Sequence, residues 1–462
     1  MFRKIKTLAR QSTVPQILRK HFRRCPPDTL VTTSRTFPAT SRVDLQLALD
    51  EFFARKDGNR RFGVNQHGME LAQLLNMKIG IAHGITRLLD PWGSLYIAPM
   101  QYDDVDIGEA LPARCVRSAL WLSTADGAPF AVLVRSLPSG ILLEIAAPGG
   151  EAGLKFSEQF FDILEKEINK GRAYRGKVIS LEGVSDHGGG RTGPVKVHRL
   201  HQVRREEVIL PEKTIALLES NLAGFIGVRD GIRKLGLSAK KGLLFYGAPG
   251  TGKTHTLHYL AGALPGHTTL VITAEQVGLL EHYFKLARFL QPSIIVVEDV
   301  DLIARERTEM RDSGQEMLLN KLLNEMDGLR EDAEVIFILT TNRPDQLEPA
   351  LASRPGRIDQ AIEFPLPDDV GRAKLARLYG RGLELDDDIV ETIVSRSKGV
   401  SAAFIKELMR RSAQFLLQAG GDKVLTLSAV EAALEEMVFL GGSLNLKLLG
   451  ATDAIPENTS LN

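Results

Sequence analysis

At 462 residues the chain is long enough for two or three domains, each with a core of its own. A composition that is 44% hydrophobic and 25% charged, with a net charge of +1, is that of an ordinary globular protein and gives no global argument for a nucleic-acid or membrane partner. Two cysteines, Cys25 and Cys115, are too few for a disulfide framework or a metal cage and fit a reducing, cytoplasmic setting, and no apolar run reaches the roughly 18–20 residues of a membrane span.

The chain opens with MFRKIKTLARQSTVPQILRKHFRR, which is basic throughout, has no acid before Asp28 and lacks a continuous apolar core. It is therefore not a secretory signal. Residues 1–40 are expected to be a basic, flexible arm, with a transit-like segment and a polyanion-binding arm as the alternatives to a solvated tail. VDLQLALDEFF (43–53) and MELAQLL (69–75) then carry helical spacing. SALWLS (118–123), FAVLVRS (130–136) and the ILLEIAA that follows read as a three-stranded antiparallel meander. LKFSEQFFDILEKEINKG (154–171) is an amphipathic helix closed by Gly171. Residues 41–172 are thus expected to form a separate α+β domain.

Residues 173–205 read as a linker with two strand-like pieces around the glycine-rich HGGGRTGP (187–194). His187, His198 and His201 lie nearby, but without Cys or acidic ligands at metal spacing they read as surface histidines. From EEVILPEK (206–213) strands alternate with helices, which predicts a parallel sheet with crossover helices over 206–366. Beyond Pro367 only helical periods remain, giving a small helical domain over 367–440 and a tail over 441–462.

The chemistry concentrates in the α/β stretch. GLLFYGAPGTGKT (242–254) contains G-x-x-x-x-G-K-T, with Gly247, Gly252, Lys253 and Thr254 in the motif positions, between an apolar strand and the amphipathic THTLHYLAGAL. Ala248, Pro249, Gly250 and Thr251 complete the loop, and the backbone N–H groups from Gly250 to His255 are expected to face phosphates at the positive end of a helix. Lys253 is expected to reach the β and γ phosphates of ATP, and Thr254 to offer its hydroxyl to Mg²⁺. A glycine turn beside a chance lysine is the bland alternative, and the complete motif in its strand–loop–helix context outweighs it.

IIVVEDVD (294–301) supplies two carboxylates at a strand end. Glu298 is expected to hold a Mg²⁺-bound water and Asp299 to polarise the attacking water. VIFILTTNRPDQLEPALASRPGRID (335–359) ends a strand in Thr340-Thr341-Asn342, which places an amide where it can orient the lytic water. Arg354 and Arg357 follow around Pro-Gly. Alone they would read as a surface basic loop. After an ATP site they read as cations that reach a neighbouring subunit's γ-phosphate.

GAPGTGKT, IIVVEDVD, KLLNEMDGL (321–329) and TTNRPDQLEPALASRPGRID together resemble an AAA-type ATPase of the AAA+ superfamily over residues from about 206 to 440. The resemblance implies a lid whose G-x-S-G-A segment packs on adenine. Here the matching stretch is Gly399-Val400-Ser401-Ala402-Ala403, so Ala402, standing for the usual glycine, and Ala403 are the expected adenine contacts. As in that clade, no lid arginine stands at the matching position.

Glu298–Asp299 inverts the family's usual Asp–Glu order. The same order and lead-in are similar to the mitochondrial Rieske-protein translocase branch and its bacterial relatives, which implies that the exchange marks a subfamily and not decay. One arm is longer and the other shorter by a methylene, roughly 1.5 Å, a change that bridging water can absorb. Only 20 residues (274–293) separate TTLVIT from IIVVEDVD, and EQVGLLEHYFKLARFLQ within them reads as one helix without the aromatic–apolar–glycine triplet of unfoldases. Tyr283 and Phe284 fall at helical spacing, so at least one is expected in the core.

The expectation is therefore an α/β phosphate-loop ATPase domain with a helical lid, preceded by an α+β domain. It is expected to hydrolyse ATP with Mg²⁺ in a homo-oligomeric ring of six or seven subunits and to remodel or move an unknown protein client without an aromatic pore grip. An ATP-binding switch or scaffold with little turnover is the alternative. A nucleic-acid motor ranks third, supported only by the basic arm.

Overall fold

The computed structural model describes residues 13–56, 59–64, 71–76, 97–137, 140–183, 192–301, 322, 324–328, 333–345 and 357–437. The expected tail over 441–462, His187 and Arg354 lie outside them. The chain divides into two compact units: residues up to Arg175 with Leu181–Val197, and Gly176–Ser180 with the residues from His198 onward.

The first unit runs α1 (Val14–His21), β1 (Leu30–Phe37), α2 (Arg42–Ala54), β2 (Arg60–Val64), α3 (Leu71–Asn76), β3 (Ile97–Ala98), β4 (Tyr102–Val105), β5 (Ala113–Val116), β6 (Ser118–Ala125), β7 (Ala128–Leu137), β8 (Gly140–Pro148) and α4 (Glu151–Ile168). The expected meander β6–β7–β8 is the middle of a six-stranded sheet ordered β1-β8-β7-β6-β2-β3. Its first turn is the two-residue Asp126-Gly127, both with positive φ, as a tight hairpin requires.

Residues 14–37, expected in a flexible arm, are instead built into this unit. Val14, Leu18 and Phe22 recur every fourth residue, and this stripe packs with Leu71, Leu120, Leu122 and Leu133 in one core. Thr13 caps α1 and the basic residues Arg19, Lys20, Arg23 and Arg24 remain exposed, which is how a cationic segment folds without burying charge. β1 pairs antiparallel with β8 from Leu30↔Pro148 to Phe37↔Ile141. On the other face of the sheet Trp121 stacks on Phe53 of α2 at 5.6 Å, and Phe52 meets Phe160 of α4 at 4.9 Å.

Next come β9 (Val178–Gly183) and β10 (Thr192–Val197), the strand-like pieces expected in a linker. The first is more than a linker: Val178 and Ile179 pair in parallel with Thr269 and Leu270 of the nucleotide-binding sheet described below. Among the histidines of this stretch, His198 meets the Ser180 hydroxyl at 2.8 Å.

The second unit continues with α5 (Glu212–Glu219), a π-helical turn, α6 (Phe225–Lys234), β11 (Lys241–Tyr246), α7 (Lys253–Ala263), β12 (Thr268–Ile272), α8 (Leu280–Phe289), β13 (Ser293–Val297), β14 (Val335–Thr341) and β15 (Gln360–Glu363). The strands run in parallel in the order β12-β13-β14-β11-β15. β13 and β14 are buried along their whole length, as expected for continuous apolar runs covered on both faces. Because β11 lies inside this order, the loops at the carboxyl ends of β11, β13 and β14 converge on one crevice, the usual ligand position in such sheets.

The segment expected as one helix between β12 and β13 is divided. Ala274–Leu279 form a 3₁₀ turn before α8 begins. Gly278 favours the break, and the Gln276 side chain accepts from the Thr273 N–H at 3.2 Å and from the Tyr283 hydroxyl at 2.9 Å, bonds that hold the turn instead of a helix. Tyr283 and Phe284 are both fully buried, and Phe284 stacks on Phe337 of β14, so both are core.

α9 (Asp369–Tyr379), α10 (Asp387–Arg396), α11 (Ala402–Gln418) and α12 (Leu427–Glu435) make the helical lid around Phe404, Ile405, Leu408 and Val430. Asp368, Ser401 and Thr426 cap three of these helices with their side-chain oxygens. Among the described residues no helix is long and apolar enough to cross a membrane.

Candidate nucleotide site

Three glycines shape the loop after β11, each for a different reason. Gly247 has φ 151°, and a Cβ there would collide with the carbonyl oxygen of Phe364. Gly250, at φ 79°, lies against the lid: a Cβ would stand 2.8 Å from both the Ala403 methyl and the Ser401 hydroxyl. Gly252, at φ 99°, turns the chain into α7. Such a loop brings backbone, not side chains, to the mouth of the crevice, which is the cradle a polyphosphate needs.

Lys253 is buried, and its Nζ donates to the carbonyl oxygens of Gly247 and Ala248 at 2.8 and 3.1 Å. Burial pushes its pKa down to about 8, against the opposing pull of Asp299 and Asp301. Thr254 Oγ1 donates to Glu298 Oε1 at 2.9 Å. A hydroxyl and a carboxylate at one point are hard oxygen ligands, and they fit Mg²⁺.

β13 ends at the carboxylates. The Glu298 N–H still donates to Ile272 of β12 at 3.0 Å, while Asp299 has left the strand with a left-handed φ of 48°. The Asp299 N–H donates to Thr340 Oγ1 at 2.9 Å, and Asn342 Nδ2 donates to Asp299 Oδ1 at 2.9 Å. Behind them the buried Asp301 accepts from Thr341 Oγ1 at 2.8 Å and from the Asn342 N–H at 3.1 Å. Asn342 is thus fixed by its backbone on one carboxylate and presents its amide to the other.

The resulting cavity, about 410 Å³, is bounded by the loop from Pro249 to Thr256, by Asp299 and Asn342, and by Ala402, Ala403 and Lys406 of α11. Ala403 donates its N–H to the Gly250 carbonyl at 3.1 Å. A third wall, Glu207 to Leu210 with Leu375 and Tyr379 of α9, is largely apolar and suits a flat aromatic base. His255 Nε2 meets the Glu207 carbonyl at 3.1 Å, and the Glu207 carboxylate pairs with Arg381 of the lid at 3.1 Å.

Sequence reasoning placed the loop, both carboxylates, Asn342, Ala402 and Ala403 together, and all of them line or adjoin this cavity. It missed Asp301, Thr340 and the 207–210 wall. Asp301 had a signal, as the third acid of IIVVEDVD. The wall had none beyond being apolar.

Arg357 is not at the cavity. It lies beside Gly242, where a Cβ would collide with its carbonyl oxygen; the Gly242 N–H donates to Asp359 Oδ2 at 2.7 Å and the Asp359 N–H to the Gly242 carbonyl at 2.8 Å. The Arg357 guanidinium pairs with Asp327. Gly242 and Gly247 are separated by about 16 Å of strand, so Arg357 stands at the other end of β11 from its own chain's loop.

The family model described as "ATPase family associated with various cellular activities (AAA)" matches residues 243–366. The chain carries an AAA domain. Curated relatives are similar to part of the chain: a proteasome-activating nucleotidase of Methanosphaerula palustris is 34% identical over 216 residues, 44% of this chain and 52% of the relative. A 26S proteasome regulatory subunit 10B of Dictyostelium discoideum is 33% identical over 204 residues, 42% and 52% of the two chains. A proteasome-activating nucleotidase of Methanococcus vannielii is 31% identical over 287 residues, 59% and 65%. The chain spans about half the length of the first two relatives and 65% of the third. The AAA domain contains the phosphate loop from Gly247, both carboxylates, Asn342 and Arg357.

Proposed function

We propose that this chain is a ring-forming ATPase that hydrolyses ATP with Mg²⁺ and uses the cycle to move or remodel a protein client. The observation that carries the reading is the convergence of Lys253, the Thr254–Glu298 pair and the Asn342–Asp299 pair on one cavity beside a glycine loop. The loop's N–H groups and Lys253 bind the phosphates, and Thr254 with Glu298 would hold Mg²⁺, which supplies neutralising charge there. Asp299, oriented by Asn342, accepts a proton from the attacking water. The apolar wall and the lid helices enclose the base end of the cavity.

Arg357 supports a ring. It is too far from its own loop to serve there, and its position at the opposite end of β11 suits delivery to the loop of a neighbouring copy; Arg354 is assigned the same role. Six or seven subunits remain the expected count.

The relatives' names support a protein client, which we assign to this chain as unidentified. The Glu298–Asp299 order and the short turn and helix between β12 and β13 support a place near the Rieske-translocase branch, although the relatives described above carry a different name. Those features, with Tyr283 and Phe284 both in the core, also favour a client shifted as a folded or partly folded body. The nucleic-acid reading loses ground because Val14–Phe37 of the basic arm is committed to the fold of the first unit. Cysteine use supports a cytoplasmic setting. The reading is tested by measuring ATP hydrolysis and ATP binding on the same preparation. Turnover that is lost in Asp299→Asn while ATP stays bound supports it, and equal turnover in wild type and Asp299→Asn sinks it.

A further inference from the structure

Asp299 occupies a backbone conformation that few side chains tolerate. The residue before it is still in the strand ladder, and Val300 and Asp301 after it begin a helical turn, so position 299 is a sharp elbow between strand and helix. At φ 48° an L residue brings its Cβ against its own backbone, and the penalty is smallest for Asp and Asn, whose short polar side chains bond locally. Among the described residues the one other non-glycine residue with positive φ is also an aspartate, Asp126 of the hairpin turn. Strain of this kind persists where neighbouring bonds hold it in place. Here they are the Asp299 N–H to Thr340 Oγ1 and Asn342 Nδ2 to Asp299 Oδ1, both 2.9 Å.

We propose that this left-handed elbow dictates the order of the two carboxylates: it admits only a short acid at 299 and leaves the longer acid at 298 to reach Thr254. The argument rests on the ATPase reading above and adds that Glu–Asp is a matched pair that cannot be exchanged. A glutamate at 299 would be strained at its backbone and would carry its carboxylate about 1.5 Å further out, past the amide of an Asn342 whose backbone N–H Asp301 holds at 3.1 Å. An aspartate at 298 would retract by the same length from Thr254 Oγ1, now 2.9 Å from Glu298 Oε1.

The decisive variant is the exchanged pair Glu298→Asp/Asp299→Glu in the full chain, which restores the commoner family order. It should turn over ATP roughly tenfold or more slowly than wild type, with KM for ATP within about threefold. Wild-type turnover from the exchanged pair would overturn the proposal. A second measurement needs no catalysis: thermal melting of Asp299→Gly, Asp299→Ala and Asp299→Glu. At a left-handed position glycine is unstrained and alanine is not, so Asp299→Gly should melt about 2–4 °C above Asp299→Ala, the reverse of their usual order, with Asp299→Glu below Asp299→Gly. Alanine melting at or above glycine would remove the elbow as the cause. If the melting order holds but the wild-type chain hydrolyses no ATP, the elbow stands and the ATPase reading falls.

Discussion

The two ends of the parallel sheet carry opposite kinds of chemistry. At the carboxyl ends of β11, β13 and β14 the backbone opens into a loop, an elbow and a turn, where Lys253 bonds the loop's own carbonyls, Thr254 bonds Glu298 and Asn342 bonds Asp299. At the amino end of β11 the same strand is closed: Gly242 is locked to Asp359, and Arg357 is held in an ion pair with Asp327. One end is shaped to receive a ligand and the other to present a cation. On the ring reading proposed above, each end of the sheet holds half a site, and a neighbouring copy would bring the halves together.

The largest effect expected from this contrast is at the receiving end. Lys253→Ala should lower ATP affinity by about two orders of magnitude or more, because the ammonium proposed to bind the phosphates is lost. A calorimetric titration checks it, and unchanged affinity would mean that the loop is not a phosphate site. Arg357→Ala should do the reverse. ATP binding should persist, while turnover of the assembled protein falls on the order of 10³-fold, as for a cation supplied across an interface. Mixing Arg357→Ala subunits with Lys253→Ala subunits should restore activity at those interfaces that pair an intact loop with an intact arginine. Full turnover by isolated Arg357→Ala subunits would erase the distinction between the two ends.

Asp299→Asn should leave ATP bound and reduce turnover by roughly 10²–10³-fold. Asp301→Asn should be milder, about tenfold in kcat with little change in KM, because it loosens Asn342 without touching the nucleotide. A change confined to KM would show that Asp301 shapes binding instead.

The receiving end should also respond to pH. Lys253 titrates near 8 in the chain without nucleotide, below its ordinary 10.5. Bound phosphate favours the charged form, so above pH 8 binding must take up a proton. ATP affinity should be flat below about pH 7 and weaken by up to tenfold per unit above 8. Because the folded pKa lies below the unfolded one, the unfolded chain holds more protons between about 8 and 10.5. This group's penalty on the nucleotide-free fold is therefore full below 8 and relieved as the pH rises through that window. Titrations in buffers of different ionisation enthalpy would detect the proton, and a pH-independent affinity up to 9.5 would show that the lysine stays charged.

Much of the receiving end was legible in the sequence because its parts are local. A glycine loop between an apolar strand and a helix, or two acids at a strand end, declares itself within ten residues. What was not legible depends on pairs far apart. Thr340 and Asp299, or Asp301 and Asn342, are some forty positions apart and meet only because β13 and β14 are neighbours in the sheet. Val208, Ile209 and Leu210 of the 207–210 wall are ordinary apolar residues whose role comes from the cavity they line. In the first unit, charge misled: Arg19, Lys20, Arg23 and Arg24 suggested a tail, while Val14, Leu18 and Phe22, one every fourth residue, were apolar and found a core. Between β12 and β13 the helical period was real from Leu280 on, but the side chain of Gln276 claimed the preceding turn.

Gly250 leaves no clearance between loop and lid. Its carbonyl takes the Ala403 N–H at 3.1 Å, and a single added methyl would press on Ser401 and Ala403 at 2.8 Å. Those residues open a helix of 17 residues, about 25 Å long. In mechanical terms the joint has no backlash. An alanine at 250 would act as a shim under the short end of a crank, and the far end of α11 would swing by more than the thickness inserted.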